Sequence, residues 1–466
     1  MSVRSIVSGV VAQFREELTE LVETSLAEGM EPRRFGEMIA GLKAVLASAG
    51  QRAFTEIVTT AEEHGDVLEH AGRRHRFKQP STKEWLTPFG SVQIERRYFQ
   101  PDEGGCGLAP LDLRCGMSGR FMTPDVEEAV ALASADLSPA ATRDLLGKVL
   151  VHAPSEKAIR NVIAEVGRWA EDAREEIEDR IVDELAVPDG NMLVVSIDGV
   201  NVPLREEGPK TGRPAERPGV RSSNCTKTIW REAGVATISI YRAAPGQKPE
   251  RQSTKYFARM PEAGMTSLFD QHGSAIWDLR RDREFEEIVV ICDGKPALWN
   301  AIDDDPFYAK ATQVLDFFHA AEHLSKAAEA IFGKKQRKAT VWYGKYRALL
   351  LEDDDGLERL LGSLHYYRKS LRDGSERRAV VDRVIGYYSR NRVRMRYAAF
   401  RARGLSIGSG VVEAACKSIV GARLKRSGMR WTHEGGQHVL NLRTRARSGE
   451  WTCFWATYLD AARAAA

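Results

Sequence analysis

Three carboxylates stand where chemistry can be done. Asp198 closes the apolar run from Leu193 to Ile197 and precedes Gly199; Asp293 closes the run from Ile288 to Cys292 and precedes Gly294. Apolar runs of this length read as buried strands, so each Asp-Gly pair sets an acidic group at a strand mouth. Glu413 lies in IGSGVVEAACKSIVGARLKRSGMRW, where Ser409 is a candidate helix cap and Lys417 falls four residues beyond Glu413 on the same helical face. A set of oxygen donors suits Mg²⁺ or Mn²⁺ rather than zinc. In a two-metal centre one ion activates the attacking oxygen and the other the leaving oxygen of a displacement at phosphorus. Asp198, on the central strand, is the expected bridging ligand, with Asp293 on one ion and Glu413 on the other. A single strand-end Asp before Gly is more often a turn residue; the three together are read as a metal site.

The surroundings of Glu413 point the same way. The chain carries a net charge of only +3, yet between Arg390 and Glu450 there are 14 Lys and Arg against 3 Asp and Glu. Such asymmetry favours a polyanionic partner. Lys417, Arg423, Lys425, Arg426 and Arg430 are the expected phosphate contacts, and Trp431 a stacking surface for an unpaired base. A second motif competes: His319, Glu322 and His323 match H-x-x-E-H, in which two histidines on a helix share a zinc and the glutamate activates water. Five pattern letters weigh little against two strand-end aspartates and a basic tail, and Asp316 gives His319 another task, supporting the metal cluster or a DNA phosphate.

These residues need elements to hold them. At 466 residues, 43% hydrophobic and 29% charged, the chain is expected to form two to four globular domains. No apolar run approaches the roughly 20 residues that span a bilayer, and the start of the chain lacks a secretory cleavage pattern, so no membrane partner is expected. Six scattered cysteines without a C-x-x-C pair support neither a disulfide framework nor a zinc ribbon, which makes a reducing cytoplasm the expected compartment.

Residues 1–80 read as helical, with stripes such as Val11, Phe14, Leu18 and Phe35, Met38, Ile39, Leu42. Residues 81–120 read as a β-hairpin turning at Pro88-Phe89-Gly90, followed by a Gly- and Pro-rich loop. Helices resume over 121–188. Two of them, SPAATRDLLGKVL and SEKAIRNVIAEVGRW, resemble a helix-turn-helix that would bring Lys157, Arg160 and Asn161 to base edges, although a plain helical hairpin is an equal alternative. The catalytic part is expected over 189–319 and 405–466, with a helical insertion over 320–404 whose basic stretches, Lys334 to Lys338 and Arg390 to Arg403, face phosphates or simply solvent. Within it, the stretch from Met192 to Val202 holds the first strand, which is expected to end on Asp198, the loop from Arg205 to Arg221 is polar, Lys227 to Glu232 and Gly234 to Tyr241 are two strands, Ser267 to Asp282 is a helix, and Ala311 to Phe317 is the fifth strand. Three antiparallel strands, a helix and a parallel strand open a ribonuclease H-like α/β fold.

The runs VVSIDGV, VVICDGKPALWNAI, VLDFFHAAEHL and GLSIGSGVVEAACKSIVGARLKRSGMRW, with NLRTRARSGEW after them, resemble the bacterial insertion-sequence transposases of the ISKra type, within the wider group of DDE transposases. The resemblance extends from about Lys83 to Trp455. It implies a ribonuclease H-like fold with a mixed five-stranded sheet, catalytic Asp198, Asp293 and Glu413 on two metal ions, support from Asp316 and His319, and a helical insertion ahead of the glutamate. It also implies DNA as partner, at both the element ends and the target, a homodimer or larger assembly on DNA, and a nucleoid-associated bacterial location. Members often carry a cysteine pair ahead of the segment that is Pro110-Leu111-Asp112 here; this chain has Cys106 without a nearby partner.

Overall fold

The computed structural model describes residues 3–28, 31–62, 64–205, 228–281, 283–308 and 311–464. The polar loop expected after Arg205, and Cys225, lie outside the described residues. The chain divides into two compact units, residues 1–177 with 451–466, and residues 178–450.

The first unit begins with two long helices, α1 (Val3–Glu28) and α2 (Pro32–Thr59), followed by a three-stranded antiparallel sheet of β1 (Val67–His70), β2 (Arg73–Thr87) and β3 (Gly90–Pro101). The hairpin turn falls at Gly90 as expected, with φ of 111°. Expecting helix up to residue 80 was wrong for its last part. β1 and the start of β2 are strands joined through Ala71 and Gly72, both with positive φ, and their side chains are mostly charged, so no apolar alternation betrays them. Trp85, Val92, Ile94, Leu111 and Met117 make the core under this sheet, and α3 (Pro110–Arg114) holds buried Asp112 against Lys83 and Arg96. Next come α4 (Pro124–Asp136), α5 (Pro139–Val149) and α6 (Glu156–Asp172), the last two capped by the Ser138 and Ser155 hydroxyls. The C-terminal α18 (Trp451–Ala464), expected with the catalytic part, belongs to this unit: its Tyr458 hydroxyl donates to buried Glu127 at 3.1 Å, and its rings pack on Trp169.

The second unit follows α7 (Arg174–Glu184), which carries the division between the units. Its sheet contains β4 (Met192–Arg205), β5 (Thr228–Arg242), β6 (Glu250–Arg259), β7 (Glu287–Cys292) and β8 (Thr312–Leu315), in the spatial order β6-β5-β4-β7-β8. β4 pairs antiparallel with β5 and parallel with β7, and β7 parallel with β8. This mixed five-stranded sheet is consistent with the ribonuclease H-like arrangement expected above. α8 (Thr266–Arg281) and α9 (Pro296–Asp304) complete the α/β part, and α10 (Phe317–Phe332), α11 (Arg337–Glu352), α12 (Gly356–Ser370), α13 (Glu376–Arg390) and α14 (Tyr397–Ala402) follow.

Both sheet faces are covered, which is why the central strands are apolar throughout rather than alternating. Met192, Val194, Val289, Ile291 and Val314 face the α10–α14 helices. Leu193, Val195, Ile197, Val290 and Cys292 face α8 and α9. On that second face His272 is buried, with its ring nitrogens 2.6 Å from the Tyr308 hydroxyl and 3.2 Å from the Thr237 carbonyl. The chain then runs through α15 (Gly410–Ala415), a π-helical turn at Cys416–Gly421, α16 (Ala422–Leu424) and α17 (His433–Ser448). Among the described residues no helix is long and apolar enough to cross a membrane.

Candidate metal centre

β4 does not end at Asp198. It runs on to Arg205 beside β5, while its pairing with β7 stops at the Ile197–Cys292 step. Asp198 and Asp293 are therefore the next residues on two neighbouring parallel strands where the sheet parts, and both side chains are largely covered, 21% and 16% exposed. Between them reaches a residue that the sequence reading passed over. The Lys295 ammonium lies 3.8 Å from Asp198 Oδ1, 3.6 Å from Asp293 Oδ2 and 2.8 Å from Glu232 Oε1.

The Asp-Gly pattern has a packing cause. A Cβ at Gly199 would fall 2.3 Å from Glu232 Oε1, so a larger residue there would push aside the Glu232 carboxylate that now reaches Lys295. A Cβ at Gly294 would fall 2.1 Å from the Tyr387 ring. Asp293 is further fixed by the Lys295 backbone N–H, which donates to Oδ1 at 3.1 Å, and by the Trp299 indole, which donates to its carbonyl at 2.7 Å.

Glu413 stands on α15, the helix directly before Cys416. The expected Ser409 side-chain cap is not made: Ser409 is buried, and its backbone N–H donates instead to Asp316 Oδ2. Asp316 is fully buried, caps α10 by accepting the His319 N–H at 2.7 Å, and is tied to β7 by its own N–H on the Cys292 carbonyl. One carboxylate thus fastens the start of α15 to the end of the sheet. The π-helical turn directly after α15 brings the Cys416 thiol to 3.7 Å from Asp198 Oδ2; such turns recur at functional sites. Glu413 is flanked by His319 Nε2 at 3.9 Å and Lys417 Nζ at 3.8 Å.

Charge at the site is finely balanced. Burial pushes the Asp198 carboxyl up and the Asp293 charge adds to this, while the Gly199 N–H, Lys295 and the Cys416 thiol pull it down. Burial disfavours the Lys295 ammonium, yet Glu232, Asp293 and Asp198 outweigh it and hold the group above its ordinary value. Burial and the Asp198 charge push Cys416 far up, so it remains a thiol and donates to the carboxylate.

Among the described residues, Asp316, His319 and Glu413 have donor atoms within 4.8 Å of one another, the spacing for one shared ion. Glu413 belongs to this set, and among the described residues no three-donor set joins it to Asp198 and Asp293, its expected partners. The H-x-x-E-H pair separates: His319 turns to Glu413, whereas His323 stacks on Tyr387 with ring centroids 3.9 Å apart. Among the described residues no three-donor set includes both histidines.

The basic residues divide by exposure. Lys417, Lys425 and Arg426 are exposed and Arg430 half-buried, but Arg423 is 1% exposed, its guanidinium 5.1 Å from the Trp431 ring centre, so the expected phosphate contact by Arg423 is corrected to a packing role. Trp431 is half-buried and paired with β4 through two backbone hydrogen bonds to Pro203 and Arg205, with its indole donating to the Leu424 carbonyl. It is wedge rather than free stacking surface. In the first unit Lys157, Arg160 and Asn161 are exposed on α6, with Arg160 paired to Glu156 at 2.7 Å.

No protein-family model matches this chain, and no curated protein matches it. Among solved structures it aligns with the Drosophila P element transposase strand transfer complex at 13% identity and a TM-score of 0.25, covering 70% of this chain and 79% of that one. At that degree of overlap the likeness carries no weight for site or activity.

Proposed function

We propose that this chain is a DNA transposase of the DDE type, acting through a divalent-metal centre at Asp198, Asp293 and Glu413. The observation that carries the reading is the placement of Asp198 and Asp293 side by side where β4 and β7 part, with a lysine ammonium drawn between them. A cation is already accommodated there by oxygen donors alone, the donor chemistry that suits Mg²⁺ or Mn²⁺. When bound, such ions supply Lewis-acid activation of water and of the scissile phosphate.

The chain's own residues have separable tasks. The Cys416 thiol, 3.7 Å from Oδ2, and the Gly199 N–H, which donates to Oδ1 at 2.7 Å, fix the orientation of the Asp198 carboxylate. Asp316 is a positioning residue, since each of its oxygens already accepts a backbone N–H and it is sealed from solvent. His319, whose Nε2 lies 3.9 Å from Glu413, holds that carboxylate or offers a further donor beside it. Lys417, Lys425, Arg426 and Arg430 would grip the strand by its phosphates, and Lys157, Arg160 and Asn161 would contact duplex ends. Holding two element ends together calls for at least a homodimer on DNA.

The test is strand nicking on DNA carrying the inverted repeats that flank the coding region, followed with Mg²⁺, with Mn²⁺ and with EDTA. Nicking that needs the ion and survives His323→Ala supports the reading. Activity that instead follows bound zinc and is lost in His323→Ala would replace it with metal hydrolysis through the histidine pair. Binding to the same DNA with no nicking under any ion would mark a DNA-binding protein on a non-catalytic nuclease fold.

A further inference from the structure

Beside Glu413 the second unit holds a trough of about 920 Å³, bounded by the β5–β6 turn, the end of α14 and the first turn of α15. That volume lies at the upper end of ordinary ligand sites, and the lining has an unusual balance. Lys248, Arg251 and Arg401 contribute three cations and no acidic side chain lines the space. Phe318 stands in the wall with 56% of its surface exposed, whereas its neighbour Phe317 is 2% exposed. A phenyl ring so uncovered is ordinarily turned inward. Here it is braced by Phe317 edge-on at 5.8 Å between ring centres and by Gly408, where a Cβ would come within 2.8 Å of the ring. The platform is thus built, with its free face to the trough.

We propose that this trough binds an unpaired stretch of nucleic acid, with a base stacked on Phe318 and the flanking phosphates on Lys248, Arg251 and Arg401. Single strands are held in this way, by cations that follow the backbone and an aromatic face that any base can cover. Location adds to the case. Val411 and Ala414 line the trough from α15, the helix that carries Glu413, and Phe318 is followed by His319, whose ring faces that glutamate. A strand lying here leads to the metal centre, so the inference builds on the proposed DNA-cleaving function by assigning where the strand is unpaired.

The test is fluorescence anisotropy of the full chain with labelled oligo(dT), oligo(U) and a blunt duplex, in EDTA so that no metal chemistry contributes. Expected are binding of the single strand, a loss of roughly 5- to 50-fold in Phe318→Ala, recovery in Phe318→Trp, and a salt slope lower by about 0.7 in Arg401→Gln. Oligo(dT) and oligo(U) bound alike indicate an unpaired strand of either sugar, and preference for one names the sugar. Phe318→Ala binding oligo(dT) as tightly as the wild type, or losing duplex and single strand equally, would overturn the proposal. The ring is exposed, so the variant's unchanged thermal melt serves as the folding control. Failure of Mg²⁺-dependent nicking would sink the cleavage reading while leaving this measurement intact.

Discussion

Lys295 is the residue on which the electrostatics of the centre turn. Its ammonium occupies the field of Asp198, Asp293 and Glu232, and a divalent ion arriving at the same carboxylates must displace it. Lys295→Met should therefore bind Mn²⁺ several-fold more tightly in an EPR titration and melt at a lower temperature in EDTA, where carboxylates of like charge face each other unscreened. Weaker Mn²⁺ binding would mean that the lysine holds the ligands in place instead. The glycines beside the aspartates make a second residue-scale prediction. Gly294→Ala drives a methyl into Tyr387 and should cost about 1–3 kcal/mol by denaturant titration, whereas Gly344→Ala, on an open helical face, should be neutral or stabilising. Equal effects would deny the steric account. Asp198 and Asp293 stood out because an apolar run closing on Asp-Gly is a local pattern. Lys295, Glu232 and Cys416 did not, because their part depends on strand register and on a π-turn that no local pattern announces. Asp-Gly itself was legible for the wrong reason: the glycines answer to Glu232 and Tyr387, distant in the chain.

At the scale of elements, α7, β6 and α17 are joined by one ionic knot. Lys255 lies 2.9 Å from Glu450, and Arg445 lies 2.7 Å from both Glu178 and Glu450. Burial works against the Glu178 charge, but Arg445 and Lys255 prevail and lower it from 4.5 to about 2. A depressed carboxylate stabilises the fold above its unfolded value and ceases to do so as pH falls through its folded one. The knot's contribution should be complete above about pH 4.5 and fade toward pH 2. Glu178→Gln should lose about 3–5 kcal/mol at neutral pH and show a shallower loss of stability across that interval; an unchanged acid limb would contradict this. The elements themselves were read unevenly. Buried central strands and Pro- or Ser-capped helices announce themselves through apolar runs and caps. The β1 strand and the start of β2 escaped because charged and histidine side chains outnumber apolar ones there and no apolar alternation forms, and the run of β4 past Asp198 escaped because its far half pairs on one side only.

For the whole molecule, the charge asymmetry of the sequence is sorted by the fold into different jobs. Arg423 and Arg445 serve packing and the ionic knot, while Lys417, Lys425 and Arg426 remain outward beside the Glu413 helix. A count of basic residues thus overstates the cationic surface available to any polyanion, since arginine is also suited to buried pairing. The division into two units likewise sends α18 to the first unit although it follows directly on α17, an assignment that chain order conceals. What unites the second unit is its sheet: β4 and β7 carry Asp198 and Asp293 side by side to the place where the sheet parts, and Asp316 fastens α15, the helix of Glu413, to the end of that sheet. The most direct measurement is single-turnover nicking of element-end DNA in Mg²⁺ by Asp198→Asn, Asp293→Asn and Glu413→Gln, with DNA binding measured alongside. Each variant is predicted to lose on the order of 10²–10³-fold or more in rate with binding retained. Near wild-type nicking by any of the three would contradict the shared metal centre.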